Sequence, residues 1–133
     1  MNLDIEELFT SPDIAVKKSK LHRWGVFAKA DIKKHDVLQE SPYCTFDEWE
    51  VEESDVIYRY CYGTDGQGDI GDYVIGFGYA SCYNHSADPN AAFELDKVNQ
   101  VMRHYALKDI TAGTEILIDY GFDEEDGEDW GDY

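Results

Sequence analysis

The sequence has few basic residues for its length. Its 133 residues include 11 Lys and Arg against 29 Asp and Glu, a formal net charge of −18 at pH 7. Binding to a nucleic-acid backbone depends on cations that displace counterions, so this balance argues against a nucleic-acid partner. It disfavours anionic membranes for the same reason. A basic, lysine-rich protein segment would instead be attracted, and its encounter rate would rise.

Long apolar runs and cysteines are also scarce. No run approaches the roughly 18 apolar residues of a membrane span, and residues 1–9 are acidic, unlike the basic start of a signal peptide. The three cysteines, Cys44, Cys61 and Cys82, are scattered without a C-x-x-C pair, which favours buried free thiols and gives no sign of a metal site. We therefore expect a protein that is not secreted and that works in a reducing intracellular compartment.

Proline is rare, and no internal repeat or linker divides the chain. Short runs of β-branched and aromatic residues alternate with turn residues, a pattern typical of strands. The predicted strands cover residues 14–16, 26–28, 37–39, 73–75, 91–95, 101–107 and 116–118. One helix is predicted over 46–60 and a short helical turn over 79–83. The pattern therefore indicates a small, mostly β domain with few short helices.

Three segments carry a more specific pattern. Residues 19–28 contain the turn Arg23-Trp24-Gly25, residues 78–91 contain Asn-His-Ser-x-x-Pro-Asn, and residues 106–121 contain Asp-Ile-x-x-Gly-x-Glu followed by an apolar run and Tyr-Gly. In this order and spacing they resemble the SET domain, the fold of S-adenosylmethionine-dependent protein lysine methyltransferases. Because no cysteine-rich segment flanks the motifs, the chain is similar to the minimal, stand-alone SET proteins of viruses and bacteria.

The resemblance covers about residues 14–122 and implies a fold and a domain plan. The implied fold is a β-clip-like arrangement of small sheets with a pseudoknot near 84–90 and Tyr120. Residues 1–13 would form an N-terminal extension. Residues 123–133, with seven acids and no base, would form an acidic C-terminal tail.

The residues of these motifs also make chemical sense for a cofactor site. Asn84 and His85 offer a carboxamide and an imidazole in a loop that Pro89 restrains, and Gly25 lets the main chain come close to a ligand. The resemblance implies that the cofactor is S-adenosyl-L-methionine. The residues it assigns to cofactor binding are His22, Arg23, Trp24, Asn84, His85, Tyr120 and Phe122.

Tyr120 ends an apolar strand, so its ring can pack while its hydroxyl faces a site. The resemblance makes it the catalytic tyrosine and places Tyr58, Tyr60 and Ile118 along the substrate channel. An apolar aromatic channel penalises the lysine ammonium, so the lysine can lose its proton without a dedicated general base. The implied reaction is an in-line methyl transfer to the lysine amine.

Two departures from the family pattern and several alternatives remain open. Arg23 replaces the first glycine of the usual Gly-x-Gly, and the cysteines that bind zinc after Gly121 in many family members are absent. The substrate is either a histone-like tail or another basic protein, which leaves a nuclear or a cytoplasmic location open. A homodimer is one assembly to consider. A catalytically silent, acidic SET-like module that binds a basic protein is the alternative to an enzyme.

Overall fold

A computed structural model describes residues 7–21, 24–46, 61–63 and 73–121. In this part of the chain, short strands form two sheets, and one 3-10 turn connects them. The elements are β1 (Ile14–Lys18), β2 (Trp24–Ala28), β3 (Val37–Phe46), β4 (Tyr62–Gly63), β5 (Tyr73–Gly76), the 3-10 turn (Gly78–Ser81), β6 (Asn84–His85), β7 (Ala91–Asp96), β8 (Val101–Ala106) and β9 (Glu115–Ile118).

The first sheet has the order β1-β2-β9-β6. β1 and β2 form a hairpin in which Ile14 pairs with Ala28, and β9 pairs antiparallel with β2. β6 joins the other edge of β9 in parallel, with Asn84 opposite Leu117. The chain therefore returns to place β9 between two strands that are distant from it in sequence.

The second sheet has the order β4-β5-β3-β8-β7 and is antiparallel throughout. The ten residues of β3 pair with β8 through their first half and with β5 through their second half. In β8 and β9 buried residues alternate with partly exposed ones, as expected for strands with one face on the core. Both sheets contribute to a single hydrophobic core.

The seven predicted strands are all found, and the predicted turn at 79–83 is the 3-10 turn at Gly78–Ser81. Three strands differ from prediction: β3, β4 and β6. β3 continues through Pro42 to Phe46, and Phe46, placed at the start of the predicted helix, instead pairs with Tyr73. β4 and β6 contain two residues each and were not predicted, because two residues are too short to show a period. The rest of the predicted helix over 46–60 lies outside the described residues.

Residues 9–11 of the predicted N-terminal extension lie along β3. Ser11 donates its N–H to the Leu38 carbonyl at 2.9 Å, and Glu40 donates its N–H to the Phe9 carbonyl at 2.7 Å. Residues 9–11 thus use hydrogen-bonding groups of β3 that would otherwise face solvent. The boundary of the extension at residue 13 stays a prediction.

The three cysteines are free thiols, as predicted, but not all of them are buried. Burial raises the pKa of Cys61 to about 12, so this thiol stays protonated near neutral pH. The expectation of burial is wrong for Cys44, which is exposed because the second half of β3, from Pro42 onward, lies at the surface. Within the described ranges, no helix is long and apolar enough to cross a membrane.

Arg103 joins three strands of the second sheet through ion pairs. Its guanidinium lies 2.8 Å from Glu40 on β3, and 3.0 Å and 3.6 Å from Glu94 and Asp96 on β7. Without the cation, these carboxylates would repel one another across neighbouring strands. We expect Arg103→Gln to lower the free energy of unfolding by about 1–2 kcal/mol, measured by urea denaturation in low salt.

The matched control for this prediction is Lys29→Gln, which removes one charge from an exposed position. Because salt screens repulsion between partly exposed carboxylates, the loss in Arg103→Gln should shrink in about 1 M NaCl. An equal loss in both variants would show that net charge, and not the ion-pair cluster, sets the stability.

Candidate active site

The parallel pairing of β6 with β9 builds the site. Ser86 donates its N–H to the Ile118 carbonyl at 2.9 Å, which extends the ladder beyond His85. The Asn90 side chain closes the loop around β9: its Nδ2 donates to the Glu115 carbonyl at 3.0 Å, and its Oδ1 accepts from the Leu117 N–H at 2.7 Å. Two motifs that are about thirty residues apart in sequence are thereby held side by side.

Asn84 is buried, and its side-chain amide has a fixed orientation. Nδ2 donates to the Trp24 carbonyl at 3.1 Å and to Glu115 Oε2 at 2.7 Å. The Glu115 carboxylate also accepts from the Ser19 hydroxyl, at 2.8 Å and 3.0 Å from its two oxygens. Since both donor positions of Nδ2 are used, Asn84 Oδ1 is the atom of this amide that can accept from a ligand.

Gly25 is required by this cluster. A Cβ at Gly25 would lie 2.2 Å from Glu115 Oε2, closer than real Cβ atoms approach, and 3.0 Å from Asn84 Nδ2, which is a tight contact. The sequence pointed to close approach of a ligand, whereas the structure shows close approach of Glu115 and Asn84. The neighbouring Trp24 side chain is 51% exposed, so Trp24 serves the cluster through its carbonyl oxygen.

His85 supports the backbone of the catalytic-tyrosine candidate. The Tyr120 N–H donates to His85 Nδ1 at 3.0 Å, so Nδ1 is an acceptor and the ring proton of the neutral imidazole is on Nε2. The Asp119 carboxylate lies 3.9 Å from the same nitrogen. The rings of His85 and Tyr120 are 5.3 Å apart.

Tyr120 is 6% exposed, and both of its ends are held. Its hydroxyl donates to the Tyr83 carbonyl in a short hydrogen bond, and its own carbonyl accepts from the Gly63 N–H at 2.6 Å. Its ring lies 5.0 Å from that of Tyr62. The hydroxyl oxygen is therefore fixed beside a main-chain carbonyl that directly precedes Asn84.

The wall behind Tyr120 consists of uncharged aromatic rings. The Tyr62 hydroxyl donates to the Ala80 carbonyl, and the Tyr83 hydroxyl lies 3.1 Å from the Gln39 side-chain amide. Burial raises the pKa of both tyrosines, so these phenols stay neutral. Such a wall backs the site with apolar rings and excludes water from behind Tyr120, but it offers no group that would take up a proton near neutral pH.

The structure brings some of the predicted site residues together. Asn84, His85, Tyr120 and the main chain of Trp24 meet at the junction of β2, β6 and β9. Ile118 is fully buried in the core beside them. The remaining predicted site residues lie outside the described residues: His22, Arg23, Tyr58, Tyr60 and Phe122.

Sequence reasoning gave no role to four residues that shape the site. Glu115 and Ser19 orient the Asn84 amide, and Tyr83 and Tyr62 hold the hydroxyl and ring of Tyr120. Glu115 lies within the quoted Gly-x-Glu motif, which was the available signal for it. Ser19 and Tyr83 lie within the quoted segments 19–28 and 78–91, and Tyr62 lies in none of them. The roles of these three residues could not be assigned from sequence, because they depend on contacts between distant segments.

The chain is similar in sequence to known proteins. The family model for the SET domain matches residues 23–121. A histone-lysine N-methyltransferase specific for H3 lysine 37 from Schizosaccharomyces pombe is 28% identical over 102 residues, which is 73% of this chain and 65% of that protein. A histone-lysine N-methyltransferase specific for H3 lysine 36 from Mus musculus is 30% identical over 84% of this chain and 5% of its own length. The chain thus spans under two thirds of these relatives.

Solved structures show the same fold. A Plasmodium falciparum chain described as a candidate histone methyltransferase superposes with a TM-score of 0.65 and 32% identity, covering 85% of this chain and 96% of that one. The Neurospora SET domain protein DIM-5, a histone lysine methyltransferase, gives a TM-score of 0.60 at 23% identity, covering 83% and 52%. The predicted fold class is confirmed, and nothing in the comparisons supports a silent module. The chain belongs to the SET domain family.

Proposed function

We propose that this chain is an S-adenosyl-L-methionine-dependent protein-lysine N-methyltransferase that acts on a lysine-rich, histone-like protein. The observation that carries the proposal is the pairing of β6 with β9, which holds Asn84 and His85 beside Tyr120: the Tyr120 N–H donates to His85 Nδ1, and its hydroxyl donates to the carbonyl of Tyr83, which directly precedes Asn84. Membership of the SET domain family and the names of the relatives support it.

The chemistry of the donors and acceptors fits the cofactor. S-adenosyl-L-methionine has an ammonium group that needs acceptors and, when bound, supplies a methyl group activated by its sulfonium charge. Asn84 Oδ1 would accept from the ammonium group, because Glu115 and the Trp24 carbonyl occupy the amide nitrogen. His85 would complete the site beside Asn84. We include His22, Arg23 and Phe122 in the cofactor site on the strength of the family motifs alone.

Tyr120 and Tyr83 form the part of the site that we assign to catalysis. Because the Tyr120 hydroxyl donates its hydrogen bond to the Tyr83 carbonyl, the lone pairs of the hydroxyl oxygen are available to an electropositive group. Both oxygens are held before any substrate arrives, so they need no reorganisation during the reaction. Their contribution is to orient the reacting groups and to stabilise positive charge.

The uncharged aromatic wall disfavours a charged lysine ammonium and so promotes loss of its proton to solvent. Tyr62 and Tyr83 cannot serve as bases because burial raises their pKa. We propose that Tyr58, Tyr60 and Ile118 line the channel for the lysine side chain. The net charge of −18 favours a basic partner, and a chromatin substrate would require an intracellular, nuclear location.

The proposal is tested with the full chain in two steps. Isothermal titration with S-adenosylhomocysteine should show saturable binding, with Kd on the order of micromolar. Mass spectrometry should then show +14 Da increments on core histones incubated with S-adenosylmethionine, assigned to lysine side chains. Histones whose lysines have been fully dimethylated chemically are the matched control and should gain less. Absence of binding at millimolar ligand would refute the proposal, and binding of cofactor or histones without methyl transfer would favour the silent module.

A further inference from the structure

We propose that His104 is a positioning residue for Tyr120 and makes the folded state that holds this tyrosine less stable in acid. This inference rests on the catalytic role proposed for Tyr120. His104 lies on β8 and is fully buried, and neither of its ring nitrogens has a hydrogen-bond partner among the residues that the structure describes. Burying an unpaired imidazole costs free energy that an apolar side chain of similar size would not incur. A role of the ring in its surroundings would explain why this cost in free energy is tolerated.

The His104 ring supports the aromatic wall from behind. It stacks on Tyr83 with centroids 4.2 Å apart and planes inclined by 9°. It meets Tyr62 edge to face at 6.0 Å, and Phe93 also lies 6.0 Å away. A flat ring is therefore needed at this position, since a branched side chain of similar volume cannot stack on the face of Tyr83.

Two short paths lead from His104 to the catalytic tyrosine. Tyr83, on which His104 stacks, accepts the Tyr120 hydroxyl through its carbonyl oxygen. Tyr62, which His104 meets at its edge, packs on the Tyr120 ring at 5.0 Å. His104 thus touches both of the residues that hold the hydroxyl and the ring of Tyr120, and it acts on catalysis only through them.

The surroundings of His104 make protonation of its imidazole unfavourable in the folded chain. The polar and titratable groups that face it are the phenols of Tyr62 and Tyr83 and, opposite it on β3, the amide of Gln39, while Phe93 lies opposite it on β7. None of these described neighbours carries a compensating negative charge, and burial lowers the pKa of His104 from 6.5 to about 3.

The sign of the effect follows from linkage. Below pH 6.5 the unfolded chain binds a proton at His104 that the folded chain does not, so stability falls as the pH decreases from 6.5 towards about 3. Between pH 7.5 and pH 5.0 this one site should lower the folding equilibrium constant by about 30-fold. The effect becomes negligible above about pH 7.5 and is removed when the imidazole is replaced by a ring that cannot be protonated.

The test compares His104→Phe, which keeps a flat ring, with His104→Leu, which keeps volume without stacking. Val101→Ala, at another buried position of β8, is the control for loss of stability. We expect His104→Leu to lower kcat at least about tenfold with little change in KM, and His104→Phe to stay within about threefold of wild type. In urea denaturation, the decrease in the folding equilibrium constant between pH 7.5 and pH 5.0 should be about 30-fold smaller in His104→Phe than in the wild type.

A second readout does not depend on activity. In chains labelled with 3-fluorotyrosine, the ¹⁹F signal of Tyr120, assigned with Tyr120→Phe, should move in His104→Leu and stay in place in Val101→Ala. A wild-type chain without methyl transfer would refute the proposed function, yet this shift would still decide whether His104 positions Tyr120. Equal kcat and ¹⁹F signals in His104→Leu and Val101→Ala, or an unchanged pH response in His104→Phe, would overturn the inference.

Discussion

Tyr120→Phe is expected to lower kcat for methyl transfer by about 10²–10³-fold and to change the affinity for S-adenosylhomocysteine by less than about threefold. The substitution keeps the ring that packs on Tyr62 and the backbone N–H that binds His85. It removes only the hydroxyl oxygen that lies beside the Tyr83 carbonyl. Single-turnover rates and calorimetric titration measure the two quantities separately.

The variant will also lose stability, and this loss has to be separated from the chemistry. Without the hydroxyl, the Tyr83 carbonyl loses a hydrogen bond in a buried setting, at a cost of about 1–3 kcal/mol. Tyr62→Phe is the matched control, because it removes an equally buried hydroxyl that donates to the Ala80 carbonyl. It should show a similar loss in urea denaturation, but its kcat should fall by less than about tenfold.

The comparison of the two variants is decisive. If Tyr62→Phe and Tyr120→Phe reduced kcat equally, the loss would come from a weakened aromatic wall and not from the Tyr120 hydroxyl. If Tyr120→Phe kept the wild-type kcat, the hydroxyl would have no part in the reaction, and the catalytic assignment of Tyr120 would be wrong.

Most of the strand framework could be predicted from local sequence. β8 and β9 have β-branched or aromatic residues in short runs bounded by turns, and these signals are sufficient for strands of four to six residues. The extension of β3 beyond Pro42 was not predictable in this way, since proline usually argues against a strand. It is tolerated here because Pro42 lies where the pairing of β3 with β8 ends and the pairing with β5 begins, and its carbonyl oxygen still accepts from the Phe77 N–H at 3.1 Å.

The candidate site could be predicted from sequence less completely than the strands. The motifs identified Asn84, His85 and Tyr120, but the contacts of these residues depend on the parallel pairing of β6 with β9. The two residues of β6 are too few to predict that pairing from sequence. The same applies to His104, which appears in the sequence as an isolated histidine within a strand. Only the packing of Tyr83 and Tyr62 around it reveals an imidazole without partners next to the site.

Gly25 illustrates why a correct residue can be assigned for an incomplete reason. A glycine in a turn next to a cofactor motif suggests that a ligand approaches the main chain. The structure shows that the space above Gly25 is filled by the Glu115 carboxylate and the Asn84 amide. Sequence could not disclose this arrangement, because Glu115 is 90 positions away and reaches Gly25 only through the pairing of β2 with β9.

Asn84→Asp is expected to weaken the binding of S-adenosylhomocysteine by about 30–100-fold and to lower the free energy of unfolding by about 2 kcal/mol. The substitution preserves shape and keeps an oxygen at the position of Oδ1. It replaces the donor Nδ2 with a carboxylate oxygen that faces Glu115 Oε2, at 2.7 Å in the wild type, and the Trp24 carbonyl, at 3.1 Å. Three acceptors would then meet without a proton between them, and the side chain would turn away.

Combining this change with Glu115→Gln should restore at least about tenfold of the lost affinity, because the glutamine amide can donate to the introduced carboxylate. Asn99→Asp is the matched control: Asn99 Nδ2 also donates to a carboxylate, that of Asp96 at 2.9 Å, but in the turn between β7 and β8. It should lose stability and keep its affinity in calorimetric titration. Failure of the double variant to recover affinity would show that Glu115 does not orient Asn84, and the amide oxygen would lose its assignment as the acceptor for the cofactor.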